Sequence, residues 1–241
     1  GMVIDVSKCN ACYNCVSACK DEFWGNDYPP YSKAQPKLGQ QWVRVDRKER
    51  GHFPFINVSY MPVLCQMCKD PPCAKAAKDG AVYVRDDGIV IIDPEKSKGQ
   101  KQIVDACPYG AIYWNEELQI PQKCTFCAHL LDQGWKKPRC AEACPADAII
   151  FCNLDDTRSQ VRRLWKSAEV LSPEQAKGDL LSPPGGDDHG SSVRYIGLPK
   201  PMVGGSVIFG DTGECAEGVA VTVMDGGNAL ASAKTNAFGD F

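Results

Sequence analysis

The alternation of apolar and polar positions along the chain predicts short elements separated by loops. Val43-Arg-Val-Asp-Arg-Lys-Glu-Arg50 alternates as a half-buried strand does, and Val82-Tyr-Val-Arg-Asp-Asp-Gly-Ile-Val-Ile-Ile92 reads as a hairpin turning at Asp87-Gly88. Val161, Leu164, Trp165 and Ala168 recur at helical spacing, with Asp155-Asp156-Thr157 as the expected cap. Residues 172–201, rich in Ser, Pro, Gly and Asp, read as an extended linker. Beyond it, segments 205–211, 218–224 and 229–235 alternate like strands again.

The 241 residues carry 27 Lys plus Arg against 30 Asp plus Glu, a net charge of −3. This balance excludes the basic footprint of a nucleic-acid binder. No apolar run reaches the roughly 20 residues of a membrane helix, so no direct membrane span is expected. The start Gly1-Met2-Val3-Ile4-Asp5 has neither the basic flank nor the apolar stretch of a secretory signal. A cytoplasmic location is therefore expected, with co-export on a partner's signal as the alternative. The basic cluster Arg44, Arg47, Lys48 and Arg50 reads as a solvated face.

Cysteine changes the picture. There are fourteen, against three histidines, His52, His129 and His189. In a reducing compartment such density points to metal rather than disulfides, with thiolate supplying nearly all the ligands. The first group, Cys9-Asn-Ala-Cys12-Tyr-Asn-Cys15-Val-Ser-Ala-Cys19, has the spacing of a bacterial ferredoxin, in which three cysteines wrap one cubane and the fourth reaches a second. Cys65, Cys68 and Cys73 form the second group and Cys107-Pro108 the third. Cys124, Cys127, Cys140 and Cys144-Pro145 form the fourth.

Completing the second and third groups would need cysteines at 77, 97, 100 and 103, where Ala77, Ser97, Gln100 and Ile103 stand. Under crosswise pairing all four losses fall on one cluster. The surviving twelve then sort into three sets: Cys9, Cys12, Cys15 with Cys144; Cys124, Cys127, Cys140 with Cys19; and Cys65, Cys68, Cys73 with Cys107. Three 4Fe–4S clusters are expected, with apolar packing in place of the fourth. Structural zinc also uses cysteine pairs two residues apart, but without the extra Cys and the following Pro. Cys152 and Cys215 are expected to be buried thiols. Tyr13, Tyr109, Tyr113, Trp114 and Phe126 lie close to the ligands and are expected to shield them from water.

The order of these groups resembles the iron–sulfur subunits of the dimethyl sulfoxide reductase family of molybdopterin oxidoreductases. The resemblance is carried by Met2-Val-Ile-Asp-Val-Ser-Lys-Cys9, Asp87-Gly-Ile-Val-Ile-Ile-Asp-Pro-Glu-Lys96, Cys107-Pro-Tyr-Gly110, Tyr113-Trp-Asn-Glu-Glu117 and Lys123-Cys-Thr-Phe-Cys-Ala-His-Leu-Leu-Asp132. Three clusters rather than four is similar to the small subunits of transhydroxylases that act on pyrogallol and phloroglucinol. It implies a non-catalytic electron-transfer subunit, with molybdopterin only in a large catalytic partner. The same module could serve a respiratory reductase for arsenate or another oxyanion, a catechol dehydroxylase, or a free polyferredoxin. In four-cluster relatives the lost set looks internal to the wire. Its absence implies two clusters near the partner and one isolated beyond a gap, suiting a reaction without net redox change.

The expected fold is α+β: a double ferredoxin-like module over 1–155 with an insertion at 20–62, a helix and linker over 156–201, and a C-terminal all-β segment over 202–241. The ending Thr235-Asn-Ala-Phe-Gly-Asp-Phe241 resembles transthyretin-like sandwiches. A sandwich needs roughly 70–100 residues, so the chain is expected to continue past Phe241 or to be completed by a partner.

Overall fold

The computed structural model describes residues 1–53, 55–177, 189–199 and 203–241. In chain order the elements are β1 (Met2–Asp5), α1 (Asn14–Phe23), β2 (Val43–His52), β3 (Phe55–Leu64), α2 (Pro72–Ala76), β4 (Val82–Val84), β5 (Val90–Ile92) and α3 (Gln102–Asp105). There follow β6 (Ile112–Asn115), β7 (Ile120–Lys123), α4 (Ala128–Asp132), α5 (Arg139–Glu142), β8 (Ile149–Phe151), α6 (Gln160–Leu164), α7 (Pro173–Lys177), β9 (Val193–Ile196), β10 (Ala220–Asp225) and β11 (Asn228–Lys234). Two compact units result, Gly1–Arg47 with Ser59–Pro199, and Lys48–Val58 with Lys200–Phe241.

The first unit is organised on β1, which lies between β8, antiparallel, and β9, parallel. Alternation divides its side chains. Met2, Ile4, Ile149 and Tyr195 enter the main core, while Val3 and Ile150 turn to the other face and meet Val161 and Ala168 of the α6 region. The helix predicted from Val161 therefore packs on this sheet. It is short, and its cap is Ser159, whose hydroxyl accepts from the Arg162 N–H at 3.1 Å, rather than Asp155–Thr157.

Residues 156–177 and 189–199 differ most from the expected helix and linker over 156–201. Helix α7 opens with Ser172, whose Oγ accepts from the Gln175 N–H at 3.1 Å. β9 then completes the central sheet, because Val193 and Tyr195, both 0% exposed, supply two inward positions two residues apart. Residues 178–188 and 200–202 of that segment lie outside the described residues.

The expected hairpin at 82–92 is present as β4–β5, its turn closed by the Gly88 N–H on the Arg85 carbonyl at 2.9 Å. Gly88 has φ +81°, which favours glycine. A second hairpin, β6–β7, pairs Ile112 with Lys123 and Asn115 with Ile120. The 20–62 insertion contains the end of α1 and most of a β2–β3 hairpin, whose tip groups with the second unit.

In the second unit β10 and β11 form an antiparallel pair with a bulge at Val223/Met224. Of the expected 205–211 strand only the bridges Ser206↔Asp240 and Ile208↔Cys215 form. Gly239 is required there: a Cβ would stand 2.3 Å from the Val207 carbonyl oxygen. No helix among the described residues is long and apolar enough to cross a membrane.

Candidate metal centre

The structure gathers the twelve cysteines into three groups. Cys9, Cys12, Cys15 and Cys144 line one cavity, roofed by Val45, Pro62 and Ile149. Cys65, Cys68, Cys73 and Cys107 line another, closed by Val90, Tyr109 and Ile112. Cys19, Cys124, Cys127 and Cys140 form the third group, all buried. Burial pushes the Cys140 thiol well up, and the neighbouring thiols of Cys127, Cys124 and Cys19 push it further.

Helices set the crosswise pairing. On α1, Cys15, Cys19 and Phe23 are four residues apart and face inward together, so one turn separates a member of the first set from a member of the third. Cys140 and Cys144, on and just after α5, repeat this spacing, and α5 packs on α1. Glu22 braces the pair, contacting His129 Nε2 at 2.9 Å and Arg139 Nε at 3.3 Å. His129 stacks on Tyr28 with ring centroids 3.7 Å apart.

The loops are shaped for sulfur. Ala11, Met67 and Phe126, each the residue before the second Cys of a Cys-x-x-Cys, have φ of +58°, +46° and +53°. A left-handed backbone is costly for such side chains; its recurrence at one position in three separate loops marks a shared requirement. The Phe126 N–H donates to Cys124 Sγ (3.4 Å), Ala111 N–H to Cys107 Sγ (3.4 Å) and Ala148 N–H to Cys144 Sγ (3.3 Å). Spacing did not single out Ala11 and Met67, and it marked Phe126 only as an aromatic close to the ligands. Their signal is positional, the second residue between paired cysteines.

Desolvation raises most of these thiols: Cys15 to about 11, Cys73 and Cys124 to about 12, and Cys9, Cys19, Cys68, Cys107 and Cys127 in the same direction. Thiols held protonated at neutral pH must release protons to bind metal. Among the described residues no group of His, Cys, Asp and Glu is arranged to hold a single metal ion. The first and second quartets instead line cavities, and four thiols to a set fit a cluster with bridging sulfide and N–H donors toward sulfur.

The positions of the missing set also come together. Ile103 on α3 and Ala77 just past α2 stand one turn from Cys107 and Cys73, and α2 packs on α3. Ile103 and Ser97 are 0% exposed. Gln100 accepts from the Lys78 N–H at 2.8 Å and donates to the Lys96 carbonyl at 2.8 Å. Packing and an amide clamp occupy this place.

Cys15 adds to the upward push on Cys19, and Cys65 to that on Cys124. Of the expected shields, Tyr109 and Phe126 are buried, and Tyr13, though 47% exposed, lines the cavity of Cys9, Cys12, Cys15 and Cys144. Cys215 is exposed and Cys152 half-buried, so neither is a core thiol. Arg44 is no free surface charge: it pairs with Asp46 at 3.2 Å and donates to the Ala176 carbonyl at 2.7 Å.

A 4Fe–4S dicluster domain family matches residues 56–154. Pyrogallol hydroxytransferase small subunit of Pelobacter acidigallici is 42% identical over 246 residues, spanning 100% of this chain and 84% of its own. A putative iron–sulfur subunit of dimethyl sulfoxide reductase from Halobacterium salinarum is 36% identical over 193 residues, 68% of this chain and 69% of the relative. The arsenate respiratory reductase iron–sulfur subunit of Shewanella sp. strain ANA-3 is 29% identical over 228 residues, 74% of this chain and 92% of the relative.

Proposed function

Since the chain belongs to the iron–sulfur subunits of dimethyl sulfoxide reductase-family molybdopterin oxidoreductases, we propose that it is the non-catalytic electron-transfer subunit of a transhydroxylase acting on hydroxylated aromatics. In this reading it holds three 4Fe–4S clusters: one on Cys9, Cys12, Cys15 and Cys144, one on Cys19, Cys124, Cys127 and Cys140, and one on Cys65, Cys68, Cys73 and Cys107. Molybdopterin and the reacting substrate belong to a separate catalytic partner. The observation that carries the reading is the gathering of these cysteines into three quartets while Ala77, Ser97, Gln100 and Ile103 are packed together.

A bound cluster supplies one-electron storage with little rearrangement. The chain's part is to exclude water with Val90, Ile112, Tyr109 and Phe126, and to direct N–H groups of Phe126, Ala111 and Ala148 at ligand sulfur. These hydrogen bonds and this burial set where electrons rest. The C-terminal hairpin is read as part of a transthyretin-like sandwich, and the complex as cytoplasmic.

A second reading, the iron–sulfur subunit of a respiratory reductase, is supported by the similarity to the arsenate respiratory reductase iron–sulfur subunit. Purification with the catalytic subunit separates the two. The transhydroxylase reading expects a stoichiometric complex that converts a hydroxylated aromatic without added electron acceptor. Turnover that consumes an external acceptor, or reduction of an oxyanion, contradicts it.

A further inference from the structure

Lys123, the last residue of β7, is 2% exposed. Its Nζ donates to the carbonyls of Val90 (2.5 Å) and Cys124 (3.0 Å) and faces Met67 Sδ at 3.9 Å. An ammonium has three N–H donors, and these acceptors occupy all three. None is an anion, and among the described residues no carboxylate pairs with Nζ. A buried cation without a counter-charge is costly unless other anions face it.

The groups in its field are the thiols of two quartets. The placement follows from the chain. β7 delivers Lys123 directly before Cys124, and Met67 belongs to the loop between Cys65 and Cys68. The ammonium thus stands at the junction of the second and third sets.

We propose that Lys123 is a fixed internal counter-cation that raises the reduction potential at the Cys65/Cys68/Cys73/Cys107 nest and, less strongly, at the nest containing Cys124. This rests on the cluster reading above. Reduction adds one negative charge to a site already ringed by four thiolates, and an adjacent cation stabilises that added charge in a low-dielectric interior. Electrons are thereby biased toward the Cys65/Cys68/Cys73/Cys107 nest.

The test is an EPR-monitored redox titration of the purified complex carrying Lys123→Met or Lys123→Gln, with iron content measured alongside. The expected result is full iron content with the potential at the Cys65/Cys68/Cys73/Cys107 nest lowered by at least tenfold in its one-electron equilibrium, 59 mV. The Cys124 nest shifts less and the Cys9 nest not at all. Unmoved potentials in both variants overturn the proposal, as does an equal shift at all three nests. Lys123→Gln keeps donors for the two carbonyls, so it decides the matter if Lys123→Met sheds iron. Loss of iron in both assigns Lys123 a structural role and also overturns it. Wild-type complex without cluster signals would instead sink the cluster reading itself.

Discussion

Replacing Ile103 with alanine probes the place where a fourth cluster would sit. Ile103 is 0% exposed and belongs to the main core. The substitution removes three carbons, worth about 0.8 kcal/mol each in transfer energy, or ~2.4 kcal/mol together. The surrounding α2–α3 packing can close only part of the space, and the residual cavity adds to that, giving ~3–4 kcal/mol in all. For a chain of this size that lowers Tm by roughly 6–16 °C. The assay is thermal and urea unfolding of the chain at matched iron content, with Ser97→Ala as control. Ser97 Oγ is buried without a hydrogen-bond partner, so its removal is neutral or stabilising. A loss below ~1 kcal/mol for Ile103→Ala would show a side chain facing open space, and the packed-nest argument would fail.

Gln100→Ala strips the Lys78 N–H and Lys96 carbonyl of their partner, at a cost of ~1–3 kcal/mol in urea unfolding; no loss contradicts the clamp. In the iron-free chain, iodoacetamide labels exposed Cys12 and Cys215 first and buried Cys19 and Cys140 last, as mass spectrometry would show; equal rates contradict the thiol burial. Asp132, gripped by Arg85 and the Tyr31 hydroxyl, has its carboxyl lowered to about 2. A depressed folded value contributes stability above the ordinary carboxylate range, which is lost as pH falls from about 4 toward 2. Because Asp132 is 40% exposed, screening keeps the effect small. The stability gap between wild type and Asp132→Asn should close over that window, and a gap constant to pH 2 contradicts the pairing. Ser159→Ala costs ~1 kcal/mol by loss of the α6 cap; an unchanged urea midpoint would return the cap to residues 155–157.

The thiol sets were legible in the sequence because helical spacing of four residues and loop spacing of three are geometric facts carried by cysteine positions alone. The β4–β5 hairpin was legible for the same kind of reason, alternation around Asp87-Gly88. β9 was not, because four residues with two inward positions are too short a signal between Ser, Pro and Gly-rich flanks. The cap of α6 was misplaced since Asp156 and Ser159 both suit a helix start, and only the fold decides which hydroxyl or carboxylate meets an N–H. Lys123 escaped because nothing in a lysine at the end of a four-residue strand marks it as buried beside two sets of thiols.

In the proposed reading three thiol quartets hold clusters and a fourth place holds none. Iron and acid-labile sulfide analysis of the purified complex, joined to Mössbauer spectra with the catalytic subunit's own iron subtracted, tests it most directly. The prediction is ~12 iron and ~12 sulfide per chain, four of each per cluster, all in 4Fe–4S form. About 16 iron, or stoichiometric zinc in place of iron, would contradict it.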